Sequence, residues 1–180
     1  MTNSDASMTS EHTVLSTRLG DLTIVRDREQ IVGLYFPHHW YMPRPASFGA
    51  RTETGFEDVT HQLVEYLAGE RQAFELPLRA RGDAFQRRVW DLLTRIPYGQ
   101  TTTYGDLAKQ LGGDVNAQQV GVAVGRNPVC ILIPCHRVIG STGKLTGYAG
   151  GLDRKRALLE LEQSQSTRTP AQQALLPGPW

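Results

Sequence analysis

This 180-residue chain is predicted to be an α+β protein in two parts, a small N-terminal antiparallel sheet and a mostly helical C-terminal half. Three observations predict it. Short β-rich runs fall before residue 37, helical apolar periods dominate from Phe85 onward, and Leu76-Pro77 separates the two regions. Met1 to Glu11 is small, polar and without period, so residues 1–11 are expected to be disordered. Val14-Leu15-Ser16-Thr17 and Leu22-Thr23-Ile24-Val25 flank Gly20-Asp21 as a hairpin, and Ile31 to Phe36 supplies a third strand. Pro37 to Gly55, with three prolines beside His38, His39 and Trp40, reads as a long loop. Leu63, Val64 and Leu67 followed by Gly69 mark a helix and its stop.

In the second half Asp83 and Gln86 form an N-terminal cap, after which Phe85, Val89, Trp90, Leu92, Leu93 and Ile96 share one helical face. Pro97-Tyr98-Gly99 ends that helix. Thr103 with Asp106 caps a short helix through Leu111, Gly112-Gly113 ends it, and a third helix spans Val115 to Val124. Two short helices joined by a glycine-containing turn predict either a DNA-reading helix-turn-helix or a plain helical hairpin. Asp153 to Glu162 is the last helix, and residues 165–180 form a polar tail expected to be flexible. The predicted domains are therefore 12–77 and 78–164.

Bulk properties narrow the function. A net charge of +1 is not that of a polycation, so nucleic-acid binding has to come from a local basic surface. Arg79, Arg81, Arg87 and Arg88 form one candidate patch and Arg154, Lys155 and Arg156 another; solvated helix faces are the plainer reading of both. Cys130 and Cys135 are the two cysteines. Full extension would separate their backbones by about 17 Å, too far for a disulfide. Without a CxxC pair or further cysteines, no thiolate zinc site can be built. No apolar run approaches the ~20 residues of a membrane span, and free thiols suit a reducing cytoplasm.

The strongest signal is Pro134-Cys135-His136-Arg137-Val138, preceded by Ile131-Leu132-Ile133, which reads as a short buried strand. Thiols attack as thiolates, and an adjacent imidazole can take the proton. The same residues could instead enclose an inert buried cysteine, but the polar His136 and Arg137 argue against a plain core strand. Cys130 reads as a small apolar filler. The flanks extend the signal: Ile96-Pro97-Tyr98-Gly99, Thr103-Tyr104-Gly105, Val120-Gly121, Gly125-Arg126-Asn127-Pro128 and Gly147-Tyr148-Ala149-Gly150-Gly151. In order and spacing, from about Arg81 to Glu162, the chain resembles the O6-alkylguanine-DNA alkyltransferases.

The resemblance implies a ribonuclease-H-like N-terminal part. It implies transfer of an alkyl group from O6-alkylguanine, and from O4-alkylthymine, in double-stranded DNA to Cys135. Glu162 would orient His136, which would deprotonate Cys135 through a water, and Asn127 would link the reading helix to the active-site segment. Tyr104, Val138, Tyr148 and Ala149 would bound the base pocket, and Arg137 would serve structure. Ala117, Gln118, Gln119, Gly121 and Arg126 would meet DNA in the minor groove, with Tyr104 rotating the target phosphate. The implied protein is a monomer that is consumed in one turnover and needs no metal or organic cofactor.

The chain departs from the family at Gln118, which stands where an intercalating arginine is expected. Glutamine lacks the charge and stacking breadth of guanidinium, so duplex binding or flipping is expected to be weaker. Two alternatives stay open: a damage-binding alkyltransferase-like module, which Cys135 disfavours, and a thiol acceptor acting on a non-duplex donor, which Gln118 keeps alive.

Overall fold

The computed structural model describes residues 10–166. Strands β1 (Ser10–Leu15), β2 (Leu22–Asp27) and β3 (Gln30–Tyr35) form an antiparallel meander. A two-residue strand β4 (Ala50–Arg51) adds parallel to β1, giving the order β3-β2-β1-β4. The hairpin at Gly20-Asp21 and the third strand lie where the alternation placed them. Ser10 and Glu11 are paired rather than disordered: Glu11 sits opposite Arg26, and their side chains form an ion pair at 2.6 Å. Ladder hydrogen bonds and that ion pair substitute for the apolar residues the segment lacks. The rest of the disorder expectation, on residues 1–9, lies outside the described residues.

Helix α1 (Glu57–Ala68) ends at Gly69, whose φ of 82° permits the left-handed cap. Helix α2 (Ala84–Leu93) opens on the Asp83–Gln86 capping box, with reciprocal bonds of 2.8 and 3.1 Å. Helix α3 (Tyr104–Leu111) is capped by Thr103, and α4 (Ala117–Gly125) starts two residues later than Val115, at the Asn116–Gln119 capping box. Strand β5 (Thr102–Thr103), between α2 and α3, pairs in parallel with β6 (Val138–Ile139), which follows α4. Helix α5 (Leu152–Ser166) runs past Glu162, and thus past the predicted tail boundary. The expected flexible tail over 167–180 lies outside the described residues.

The halves share one core. Leu22, Ile24 and Leu34 of the sheet pack in the same cluster as Val89, Leu93, Leu107, Val120 and Leu158. The edge of β3 fastens them: Leu34 N–H donates to Pro128 O at 2.8 Å, and Leu34 O accepts from Cys130 N–H at 3.3 Å. Residues 77–79 dock on the same edge through Ile31. The opposite sheet face carries a second cluster, Val25, Val32, Tyr35 and Phe48, with Met42 against it. This cluster anchors the 37–55 segment, which holds a 3₁₀ turn (Pro45–Phe48) and β4 rather than featureless loop.

The predicted strand over Ile131–Ile133 is not formed. The run makes a tight turn with Ile131 at φ 70°, and Cys130 and Ile133 form a bridge. Asn127 explains the reversal: its side-chain amide donates to Ile133 O at 2.8 Å, and its carbonyl accepts from Val129 N–H at 3.1 Å. Burial of four consecutive side chains, Val129 to Leu132, selects apolar residues whatever the backbone geometry, so composition alone misled. Cys130 and Cys135 are therefore not at the ends of an extended segment, although both are free thiols.

Candidate active site

Cys135 opens a one-turn 3₁₀ helix, Cys135–Arg137, immediately after the turn. Its thiol is almost wholly buried. Burial pushes its pKa up; the Asn127 side chain, the Lys155 ammonium and the N–H groups of Cys135 and His136 pull it down without cancelling that effect. The resting sulfur is thus a neutral thiol that has to pass its proton to a base.

His136 is fully buried, and burial lowers its pKa, keeping the imidazole neutral and basic. Its Nε2 lies 2.8 Å from Glu162 Oε1. The ionised carboxylate is acceptor-only, which assigns the proton to Nε2 and leaves a lone pair on Nδ1. Nδ1 has no hydrogen-bond partner among the described residues. Burial alone would raise the Glu162 carboxyl, but His136 and Arg137 outweigh it and hold the pKa at about 2. Around this carboxylate Arg137 Nε and Nη2 donate at 3.0 and 2.9 Å, Tyr66 Oη at 2.6 Å, and Gly99 N–H at 3.1 Å. Arg137 Nη1 also donates to Ile96 O at 2.6 Å.

The remaining groups shape the approach. Lys155 is fully buried, and Nζ donates to Val138 O at 2.6 Å, Thr146 O at 2.8 Å and Gly147 O at 3.3 Å. Burial lowers its pKa to about 8. Tyr104 Oη donates to Thr146 O at 3.2 Å, and its ring lies 5.9 Å from Lys155 Nζ. Tyr148 and Ala149 are buried, with Gly150 closely packed: a Cβ there would stand 2.7 Å from the Phe36 ring. An open cleft of about 590 Å³ is lined by Tyr104, Ala117, Gln118, Gly121, Val122 and Gly147, together with Trp40 and Tyr41.

Most predicted site residues converge, with exceptions. Gln119 spends its carbonyl on the Asn116 N–H at 2.9 Å and faces a neighbouring hollow with Phe85 and Val115 instead of the cleft. Arg126 stacks on Tyr41 at 5.0 Å, beside the cleft rather than within its lining. Of the two candidate basic patches, the first keeps its four arginines exposed and the second breaks up. Arg79 and Arg81 pair with Asp27, Arg87 bonds Gly82 O, and Arg88 bonds Leu111 O. Arg154 bonds Leu19 O and lies over Phe36, Lys155 is internal, and Arg156 pairs with Asp153. Sequence reasoning missed Tyr66 and Lys155. Tyr66 shares the α1 periodicity of Leu63 and Leu67, and nothing local marks its hydroxyl as polar cargo of the core.

A buried thiol followed in the chain by a neutral imidazole, with an ionised carboxylate held behind that ring, defines the class of a thiol-dependent enzyme. Comparison with known proteins sharpens this. Residues 84–164 match the 6-O-methylguanine DNA methyltransferase DNA binding domain, and residues 11–80 match the ribonuclease-like domain of the same family. A methylated-DNA–protein-cysteine methyltransferase of Mycolicibacterium paratuberculosis is 43% identical over 87% of this chain and 94% of its own length. The Mycobacterium tuberculosis counterpart is 50% identical over 71% of this chain and 72% of its own. A crystal structure of Mycobacterium tuberculosis OGT in complex with DNA superposes with a TM-score of 0.82 at 42% identity, covering 86% of this chain and 94% of that one. The chain belongs to the 6-O-methylguanine DNA methyltransferase family.

Proposed function

We propose that this protein repairs duplex DNA by moving the alkyl group of O6-alkylguanine, and of O4-alkylthymine, onto Cys135 in a single irreversible turnover. The observation that carries the reading is Cys135, buried and favoured as an anion by Asn127 and Lys155, directly followed by a His136 whose Nε2 is held by Glu162. Residues 78–164 supply the chemistry and the groove contact, and residues 12–77 brace the active-site turn through β3.

A base cannot be attacked at O6 while stacked, so the lesion has to leave the helix, at a cost of a few kcal/mol. Ala117, Gln118 and Gly121 meet the minor groove, and Tyr104 turns the target phosphate. Val138, Tyr148 and Ala149 bound the pocket for the extruded base. His136 Nδ1 takes the Cys135 proton through a bridging water, the sulfur attacks the alkyl carbon, and the C–O6 bond breaks with its electron pair going to the base. The base takes up one proton, and the products are guanine and a Cys135 thioether. Glu162 holds the imidazole in the required tautomer and stabilises it when protonated. A thioether offers no easy hydrolysis, so the monomer is consumed and requires no cofactor.

The test is stoichiometric. With excess duplex carrying O6-methylguanine, restored guanine should plateau at one per protein molecule; continued turnover would overturn the reading. Gln118 governs rate within it. Gln118→Arg is expected to accelerate reaction with the duplex by about 10-fold or more, with little change for free O6-benzylguanine. Equal acceleration of both substrates would remove Gln118 from the flipping step.

A further inference from the structure

Of the five large apolar side chains that stand exposed among the described residues, three line the same cleft: Trp40 (65% exposed), Tyr41 (47%) and Val122 (48%). Val122 belongs to α4, whereas Trp40 and Tyr41 come from the segment after β3, outside the residues that match the DNA binding domain. Their backbone is fixed. Trp40 N–H donates to Ala149 O at 3.2 Å, which ties this segment to the pocket loop. The adjacent His39 is buried, with its ring edge-on to Tyr35 at 5.4 Å. The Tyr41 ring is covered on one side by the Arg126 guanidinium, while Gly125 approaches it closely enough that a Cβ would lie at 3.6 Å.

We infer that Trp40 and Tyr41 form a second lip of the DNA-binding cleft, where their rings stack against exposed bases or sugars of the bound duplex beside the lesion. This inference rests on the proposed groove contact of α4. The lip is continuous with that face through Val122, Gly125 and Arg126, and it lines the same cleft as Gln118. Nucleic acid is the occupant whose chemistry fits: bases stack on aromatic rings, and a phosphate can meet Arg126 beside Tyr41. Gln118 offers no guanidinium plane at the wedge, and Trp40 and Tyr41 in the same cleft provide the aromatic surface the wedge lacks.

The test uses protein carrying Cys135→Ser, in which binding is read without transfer. Adding Trp40→Ala should weaken affinity for an O6-methylguanine duplex by about 10- to 100-fold, the range of one lost base–aromatic stack. Because the contact is uncharged, the dependence of affinity on salt should keep its slope, whereas Arg126→Gln should reduce that slope by about one ion. Trp40→Phe, which keeps a stackable ring, should recover most of the affinity. Unchanged duplex affinity for Trp40→Ala overturns the inference. So does Trp40-dependent self-association of the free protein with DNA affinity intact, which would make the lip a contact between copies of this chain. Absence of alkyl transfer by the parent protein, with a Trp40-dependent affinity, would fail the proposed reaction and leave the lip standing.

Discussion

Cys135→Ser should abolish alkyl transfer, a loss of roughly 10⁴-fold or more as for other nucleophile deletions, while Cys130→Ser stays active. The two thiols differ in what surrounds them. Cys130 is sealed in the core, its Sγ donating to Leu34 O at 3.0 Å, and burial drives its pKa well up. Cys135 also feels burial, but the Asn127 side chain, Lys155 and two backbone N–H groups favour its anion, and His136 follows it in the chain. A serine hydroxyl retains the shape and loses the nucleophile. The Cys135→Ser protein should unfold at nearly the parent temperature and still bind duplex DNA, so lost transfer would be chemical. Transfer that survives in Cys135→Ser and disappears in Cys130→Ser would exchange the roles.

Glu162→Gln should damage stability and rate together. The carboxylate is fully buried and receives Arg137, His136, Tyr66 and the Gly99 N–H. A glutamine keeps the shape and leaves the Arg137 charge without a counter-ion in the core, a defect that costs about 3–5 kcal/mol. For a chain of this size the midpoint of unfolding should fall by roughly 6–20 °C. Assayed well below that midpoint, transfer should still be slowed, because an amide neither enforces the His136 tautomer nor stabilises the imidazolium. An unchanged midpoint would mean that Arg137 is satisfied by Ile96 O and by the Tyr98 ring, 5.7 Å from its guanidinium, alone. The same network predicts the acid limb of stability. Glu162 has a folded pKa of about 2 against an ordinary value of 4.5, so its contribution is present above pH 4.5 and is lost as pH falls toward 2.

How much of this was legible in the sequence depended on whether the interaction was local. The capping boxes at Asp83–Gln86 and Asn116–Gln119 are four-residue events, and the first was readable as spacing. The β1–β2 hairpin and the Gly69 stop were equally local. The Ile131–Ile133 turn was not, because the Asn127 bonds that reverse it look in sequence like any asparagine before proline. Arginine and lysine clusters hid their partners for a related reason. Charge in a sequence is indifferent to partner, and Asp27, some fifty residues away, takes up Arg79 and Arg81. Lys155 is the extreme case: flanked by two arginines it reads as surface, yet its ammonium ties Val138 to the 146–147 loop in the interior. Glu162 became a site residue only by resemblance. Its helix brings it to His136 across 26 positions, and no local period announces that.

The most direct test of the whole account is intact-protein mass after incubation with a duplex holding one O6-methylguanine, followed by peptide mapping. The account predicts a single added methyl on the peptide containing Cys135, never more than one per molecule, with the guanine restored. A methyl on any other residue, or repaired guanine with an unmodified protein, would contradict it.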